Sequence, residues 1–307
     1  MSQGISVYDL DLSPPFGRVY FDCDRELREE LIYFLLVDRF DDATARKPTL
    51  TSSRSLGSGT TEQLKRFCGG KLKGVTQNLG YIRDLGCTSL WLSPVFENND
   101  APDPNSDKYH GYSIQNYLAI DPRFGNEKDL VELVATAHDR FNMRVFLDVV
   151  LNHSGDNWKY PGDYPYYYSN DMQFPLEAFR RADRPQPKEL QNPHFYHRRG
   201  QIRNWDNYPE YQTGDFCSLK DFNNDENPAG LQLIDTLIRA HCYWIRQADL
   251  DGFRVDAVKH MGASAVGRFC SAVDEYARLL GKRNFITFGE LIAGDDAIDR
   301  YIGPTHQ

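Results

Sequence analysis

Residues 251–260 read Asp-Gly-Phe-Arg-Val-Asp-Ala-Val-Lys-His. Apolar Phe253 and Val255 alternate with Arg254 and Asp256, the pattern of a strand. Residues two apart on a strand point to the same face, so the guanidinium and the carboxylate are neighbours. A cation at that distance favours the ionised carboxylate and predicts a lowered pKa for Asp256. An ionised Asp at the end of a buried strand suits a glycosidase nucleophile. An Arg-x-Asp pair is equally often a structural ion pair, so the spacing of a second carboxylate matters. Glu290 supplies it, ending the strand-like run at 284–289, one strand–helix–strand unit later.

Strand and helix patterns alternate outward from this stretch. Residues 31–37 form a continuous apolar run typical of a buried parallel strand. Residues 88–92, 144–150, 251–255 and 284–288 predict four more strands. Helical periodicity covers 75–85, stopped by Gly86, and 127–141, whose apolar face is Leu130, Leu133, Val134, Ala137 and Phe141. It also covers 229–247, 263–280 and a shorter piece at 295–301. The Ser/Thr/Gly-rich stretch 49–61 predicts a loop. Residues 1–29 show little pattern beyond an edge strand near 18–21. From 154 to 227 the periodicity breaks into Tyr, Pro, Asn and charge, which predicts an irregular inserted subdomain. The domain reading is therefore an N-terminal extension at 1–29, first strand–helix units at 30–153, the insertion at 154–227, and continuation at 228–307. Alternating strands and helices mean an α/β fold with a parallel sheet.

Composition narrows the function. There are 44 acidic and 35 basic residues, a net charge of −9. Partners such as nucleic acid or an anionic membrane call for a basic face, so both are unexpected. The 18 Tyr, 18 Phe and 4 Trp suit carbohydrate stacking, although core packing accounts for most aromatics in any protein. Cys23, Cys68, Cys87, Cys217, Cys242 and Cys270 follow no zinc-like or CxxC spacing and read as reduced thiols. Asp9, Asp11 and Pro14-Pro15 interrupt the apolar stretch a signal peptide would need, and no run is long enough to span a bilayer. The expected location is cytoplasmic.

Three stretches, DGFRVDAVKH at 251–260, DVVLNHSG at 148–155 and FGE at 288–290, occur in an order that resembles the α-amylase family of glycoside hydrolases. YHGY at 109–112 and LWLSP at 90–94 extend the resemblance from about residue 30 to the last residues. It implies a TIM (β/α)8-type barrel rather than a doubly wound sheet, with catalytic groups at the C-terminal ends of strands. Only five strands are predicted, so the chain reads as an incomplete barrel with exposed edges. Asp256 would be the nucleophile of a retaining mechanism and Glu290 the general acid and base, with carboxyls about 5–5.5 Å apart. Arg254 would keep Asp256 ionised, and Asp148 would be hydrogen-bonded within the site. His110 and His153 would donate to sugar hydroxyls, and Tyr112 would stack beneath the ring. Lys259 and His260 resemble the pair that lines the leaving-group side in α-amylases proper, which points to α-1,4-glucans as substrate.

The resemblance also implies a structural Ca2+ between barrel and insertion. Asn152, Asp221 in LKDF (219–222) and the backbone carbonyl of His260 match its ligands, with Asp215 as a further candidate. Lys71 in CGGK stands where relatives often carry Asp of a second calcium loop. Nothing after Glu290 resembles the family's third catalytic carboxylate; only Asp295, Asp296 and Asp299 remain. The readings that follow are the N-terminal part of an α-glucan hydrolase, a transglycosylase or isomerase using the same carboxylates, and a non-catalytic carbohydrate-binding remnant.

Overall fold

The computed structural model describes residues 4–44, 66–99, 107–160, 166–168, 173–176, 178–179 and 184–302. The loop predicted at 49–61 lies outside these residues. In chain order the strands are β1 (Ile32–Leu35), β2 (Ser89–Leu92), β3 (Phe96–Asn98), β4 (Ile114–Ile120), β5 (Arg144–Val149), β6 (His153–Ser154), β7 (Lys220–Asp221), β8 (Gly252–Val255) and β9 (Ile286–Gly289). The α-helices are α1 (Val37–Phe40), α2 (Leu72–Gln77), α3 (Leu79–Asp84), α4 (Glu127–Phe141), α5 (Glu210–Thr213), α6 (Pro228–Ala248), α7 (Ala263–Leu279) and α8 (Asp295–Ile302).

The five predicted strands form one parallel sheet in the order β1-β2-β5-β8-β9. Parallel register aligns Phe34, Trp91, Phe146 and Gly252 in one row, and Asp148, Arg254 and Phe288 in the next. One face of the sheet thus carries an aromatic layer, with Phe34 against Trp91 at 4.2 Å and Phe288 within 5.7 Å of both Trp91 and Phe146. Asp148 and Arg254 follow two residues further along their strands. Gly252 permits this layering, because a Cβ there would lie 2.1 Å from the Ile286 carbonyl and 2.8 Å from the Phe146 ring. On the opposite face Leu90, Leu92, Val145, Leu147, Val149, Phe253 and Val255 are buried in the main core. Five parallel strands alternating with helices form part of a (β/α) barrel, as expected. Among the described residues the sheet is open, with β1 and β9 each paired on one side only. The continuous apolar run of β1 predicts burial on both faces, yet among the described residues Phe34 is 43% exposed on the inner face of the open sheet, covered on one side by Trp91.

Local signals explain the long helices. Asn126 caps α4 through the amides of Lys128 and Asp129, while Asp129 returns the bond to Asn126. Asn227 caps α6 with Pro228 at the first helical position, and Asp249 ends it in a left-handed conformation. Trp244 on α6 is fully buried and donates to the Tyr117 carbonyl on β4 at 2.8 Å.

Several expectations change. Residues 75–85 do not form one helix: α2 and α3 meet at Asn78, whose side chain donates to the Gly74 carbonyl. Residues 18–21 are not a strand. Arg18 and Tyr20 donate to the Arg246 carbonyl and the Phe21 amide to Asp249, so this segment straps the C-terminal end of α6 instead. Within 154–227 the described residues are mostly irregular, but β7 pairs antiparallel with β6 and ties the segment to the end of β5. The antiparallel hairpin β3–β4 was not predicted. All six cysteines are free, with Cys23, Cys87 and Cys242 buried and Cys68 and Cys217 exposed. Among the described residues no helix is long and apolar enough to cross a membrane.

Candidate active site

The C-terminal ends of β5, β8 and β9 bring Asp148, Arg254, Asp256 and Glu290 together. Arg254 is the hub. Its Nη1 lies 2.9 Å from both oxygens of Asp148 and 2.7 Å from Asp256 Oδ1, and its Nη2 lies 2.9 Å from Glu290 Oε2. The predicted Arg254–Asp256 neighbourhood is therefore present, and Asp148 and Glu290 share the same cation. The ring of Trp91 stands 5.2 Å from the guanidinium and donates its Nε1–H to Asp148 at 3.2 Å. Trp91 was not singled out from its sequence; LWLSP read as a strand and as part of the family resemblance, with no role for its ring.

The electrostatics reverse one expectation. Asp256 does not titrate low. Burial pushes it up to about 6, Arg254 opposes that rise, and the nearby Glu290 carboxylate adds to it. Burial likewise raises Asp148 to about 7, again against the pull of Arg254. One guanidinium shared among three carboxylates does not offset their desolvation and mutual repulsion. Burial works against the charge on Arg254 too, but Asp148 and Asp256 outweigh it and hold the guanidinium protonated.

The segment between β3 and β4 brings in the aromatic and imidazole groups. Gly111 has φ +88, and a Cβ there would fall 2.1 Å from the Pro94 carbonyl, so the turn needs glycine. Tyr112 donates its hydroxyl to Asp148 at 3.0 Å, and burial raises its pKa. His110 accepts from the Tyr112 amide through Nδ1 at 3.0 Å, stacking with the Tyr112 ring at 5.5 Å. His153 is buried, with Nε2 3.2 Å from the Tyr112 carbonyl. Burial lowers His110 to about 4 and His153 to about 3, so both rings are neutral near neutral pH. In this structure His153 holds the Tyr112 backbone.

Glu290 is tied to the following turn. Its Oε2 accepts from the Ala257 amide at 3.3 Å and its carbonyl from the Val258 amide at 3.0 Å. That turn presents Lys259, paired with Asp206 at 2.8 Å, and His260, whose Nδ1 lies 2.6 Å from the Tyr211 carbonyl. Asp295, Asp296 and Asp299 are exposed on α8.

The proposed cation ligands divide into two groups. Phe222, just after β7, donates its amide to the Asn152 carbonyl at 2.8 Å, which sets Asn152 beside Asp221. Asn152 Oδ1 and Asp221 Oδ1 are buried and meet no hydrogen-bond donor, so these two oxygens fit a hard cation. Asp215 fits poorly. It accepts from the Asp221 amide at 3.1 Å and the Tyr160 hydroxyl at 3.0 Å, with the Lys220 ammonium 3.6 Å away. The other oxygen of Asp221 lies 2.5 Å from His197 Nδ1. Burial disfavours charge on His197, but Asp221 outweighs it and raises the imidazole to about 9. Among the described residues no three His, Cys, Asp or Glu side chains gather as metal ligands.

The family model described as alpha amylase, catalytic domain, matches residues 34–302. The chain is 30% identical over 267 residues to a cyclomaltodextrin glucanotransferase of Klebsiella oxytoca, covering 86% of this chain and 38% of that protein. It is 30% identical over 309 residues to an alpha-amylase of Streptomyces lividans, covering 89% of this chain and 33% of that one. Among solved structures, the Geobacillus thermoleovorans alpha-amylase complexed with acarbose superimposes with a TM-score of 0.61 at 30% identity, over 88% of this chain and 48% of that chain. An Anoxybacillus alpha-amylase gives 0.66 at 28% identity, over 91% and 50%. The chain thus spans between about a third and a half of these relatives' length. With the family model matching most of its residues, the chain belongs to the α-amylase family.

Proposed function

We propose that this chain carries the nucleophile and acid–base pair of a retaining α-glycoside hydrolase acting on α-1,4-glucans such as starch, glycogen and maltooligosaccharides. The observation that carries the reading is the single Arg254 guanidinium bound to Asp148, Asp256 and Glu290 at the ends of three successive parallel strands. Asp256, deprotonated, attacks the anomeric carbon, and Glu290 delivers a proton to the departing glycosidic oxygen. The covalent glycosyl–enzyme then reacts with water, from which Glu290 takes the proton back. Arg254 balances the charge as the proton leaves Glu290. Asp148, Tyr112 and Trp91 hold that guanidinium in place. Tyr112 offers its ring face to the sugar and neutral His110 offers its Nε2–H to a sugar hydroxyl, whereas the one N–H of neutral His153 is spent on the Tyr112 carbonyl, so His153 positions Tyr112 instead of donating to the sugar as expected. Lys259 and His260 line the leaving-group side.

A raised Asp256 pKa implies a rate that climbs as pH passes about 6, where the nucleophile ionises. Asn152, Asp221 and the His260 carbonyl would hold Ca2+, which would cross-link the 154–227 segment to the end of β5. Six free thiols support a reducing, cytoplasmic setting. The Klebsiella glucanotransferase favours a second reading, in which a sugar hydroxyl replaces water as acceptor. Reducing-sugar release from maltooligosaccharides tests the first reading: Asp256→Asn and Glu290→Gln should each remove it. Near-wild-type release by either variant would end the assignment.

A further inference from the structure

His241, on α6, is fully buried and takes no part in the chemistry above. Its Nδ1 lies 2.7 Å from the Leu237 carbonyl, which can only accept, so the proton of the neutral ring sits on Nδ1. The other nitrogen, Nε2, is buried and meets no hydrogen-bond partner. Four rings stand edge-on around the imidazole: Phe269 of α7 at 5.3 Å, Phe253 of β8 at 5.5 Å, Phe96 of β3 at 5.8 Å and Tyr117 of β4 at 6.1 Å. Among the described residues, Tyr117 is the titratable member of that cage. The charged groups on the same elements are engaged elsewhere. Glu97 on β3 accepts from Asn116, and Arg254 on β8 serves the site carboxylates. Arg268 and Asp274 on α7 pair with Asp235 and Arg278, while Arg239 and Arg246 on α6 reach the Val7 and Ser13 carbonyls.

A proton on Nε2 would place a charge and an unpaired donor among hydrocarbon rings, a costly arrangement with no carboxylate to offset it. Burial accordingly lowers His241 to about 4, against the pull of the Leu237 carbonyl. The cage is also a joint between helix and sheet. Trp244, three residues along α6, donates to the Tyr117 carbonyl at 2.8 Å and stacks on Phe96 at 5.4 Å. Tyr117 donates its hydroxyl to the His153 carbonyl at 3.0 Å, with the Val150 carbonyl at 3.3 Å. Both carbonyls lie just past the end of β5. The strand that carries Asp148 is therefore held from outside the sheet by a ring that borders His241.

We propose that His241 is an acid-triggered release for the joint between α6 and β4: on acidification the imidazole takes up a proton by leaving its cage, and the β5 end held by Tyr117 loosens with it. The release needs no turnover and stands or falls apart from the glycosidase reading. Its sign follows from linkage. A solvated ring titrates near 6.5 and the caged ring near 4, so the closed joint loses ground as pH falls below 6.5, and the loss is complete below about 4. Between pH 7.5 and pH 5 the opening equilibrium should rise about thirtyfold. The Trp244 indole N–H reads that opening, because its bond to Tyr117 spans the joint. The experiment is its hydrogen-exchange protection by NMR, corrected for the intrinsic pH dependence of exchange, in the 307-residue chain and in His241→Phe. Protection of Trp244 should fall about thirtyfold in the wild type and stay level in His241→Phe, while Trp158, buried in the 154–227 segment, changes far less. Level protection in the wild type, or an equal fall in His241→Phe, overturns the release. An equal fall at Trp158 would make the opening global and overturns it too. If His241→Phe fails to fold, His241→Asn replaces it, keeping a donor for the Leu237 carbonyl. The wild-type ring gives an independent check: its nitrogen shifts should show the neutral Nδ1–H form at pH 5, and a ring mostly protonated there in the folded chain overturns the proposal.

Discussion

Replacing Arg254 by Met should destabilise the chain by an amount that grows with pH. The guanidinium binds Asp148 through two contacts of 2.9 Å and Asp256 at 2.7 Å, and all three residues are buried. Breaking a buried pair from one side costs about 3–5 kcal/mol when the remaining charge cannot be solvated. Glu290 adds little to this, because its side chain is 41% exposed and water replaces the cation there. Folded Asp148 and Asp256 titrate near 7 and near 6, above the ordinary 3.8, so the native state binds protons more tightly than the unfolded chain. Stability therefore falls as pH rises between those values. Without Arg254 both carboxyls shift higher still, and the fall becomes steeper. Urea denaturation at about pH 8 should show the loss of about 3–5 kcal/mol, and at about pH 5 a clearly smaller loss, because both carboxyls are then neutral in the native state. Arg254→Lys should lie between, keeping the charge but losing the fork that reaches Glu290 through the second nitrogen. Equal destabilisation at the two pH values, or a loss below about 1 kcal/mol at the higher one, would refute the shared-cation account.

His197 gives a second pH dependence of the usual sign. Its folded pKa, near 9, exceeds the ordinary 6.5, so its contribution is full below about 6.5 and disappears as pH rises through about 9. Thermal midpoints of His197→Gln should lack that alkaline limb, and a wild-type-like limb would remove the His197–Asp221 pair from the account. Chelation with EGTA should lower the wild-type midpoint and leave Asn152→Ala unaffected, because Asn152 and Asp221 offer the open buried oxygens. A wild-type melting curve indifferent to chelator would remove the calcium proposal.

Much of the sheet was legible because its strands are short apolar runs between punctuated helices. All five parallel strands and, to within a residue, the bounds of α4, α6 and α7 follow from periodicity, and the structure adds the caps Asn126, Asn227 and Asp249 that fix the ends of α4 and α6. The motifs named Asp148, Arg254, Asp256 and Glu290, which do gather, because parallel strand ends place their side chains side by side. Local pattern failed where partners are distant in sequence. The β3–β4 hairpin joins runs separated by 99–113, and residues 18–21 are held by α6, some 226 residues away. Titration was misjudged for a related reason. Arg254 and Asp256 are two residues apart and visible, whereas Asp148 and Glu290, which compete for the same cation, reach it from other strands. Trp91 lay in a quoted motif, but its bond to Asp148 depends on strand register.

The central claim is that Asp256 forms a covalent bond to the sugar. α-Maltotriosyl fluoride tests it directly, because fluoride departs with little need for protonation. The account predicts sustained fluoride release by the wild-type chain above the uncatalysed rate, release lost in Asp256→Asn, and in Glu290→Gln a burst of about one fluoride per chain followed by little turnover, because the glycosyl–enzyme then lacks its general base. Release by Asp256→Asn at the wild-type rate, or none from the folded wild-type chain, would contradict it.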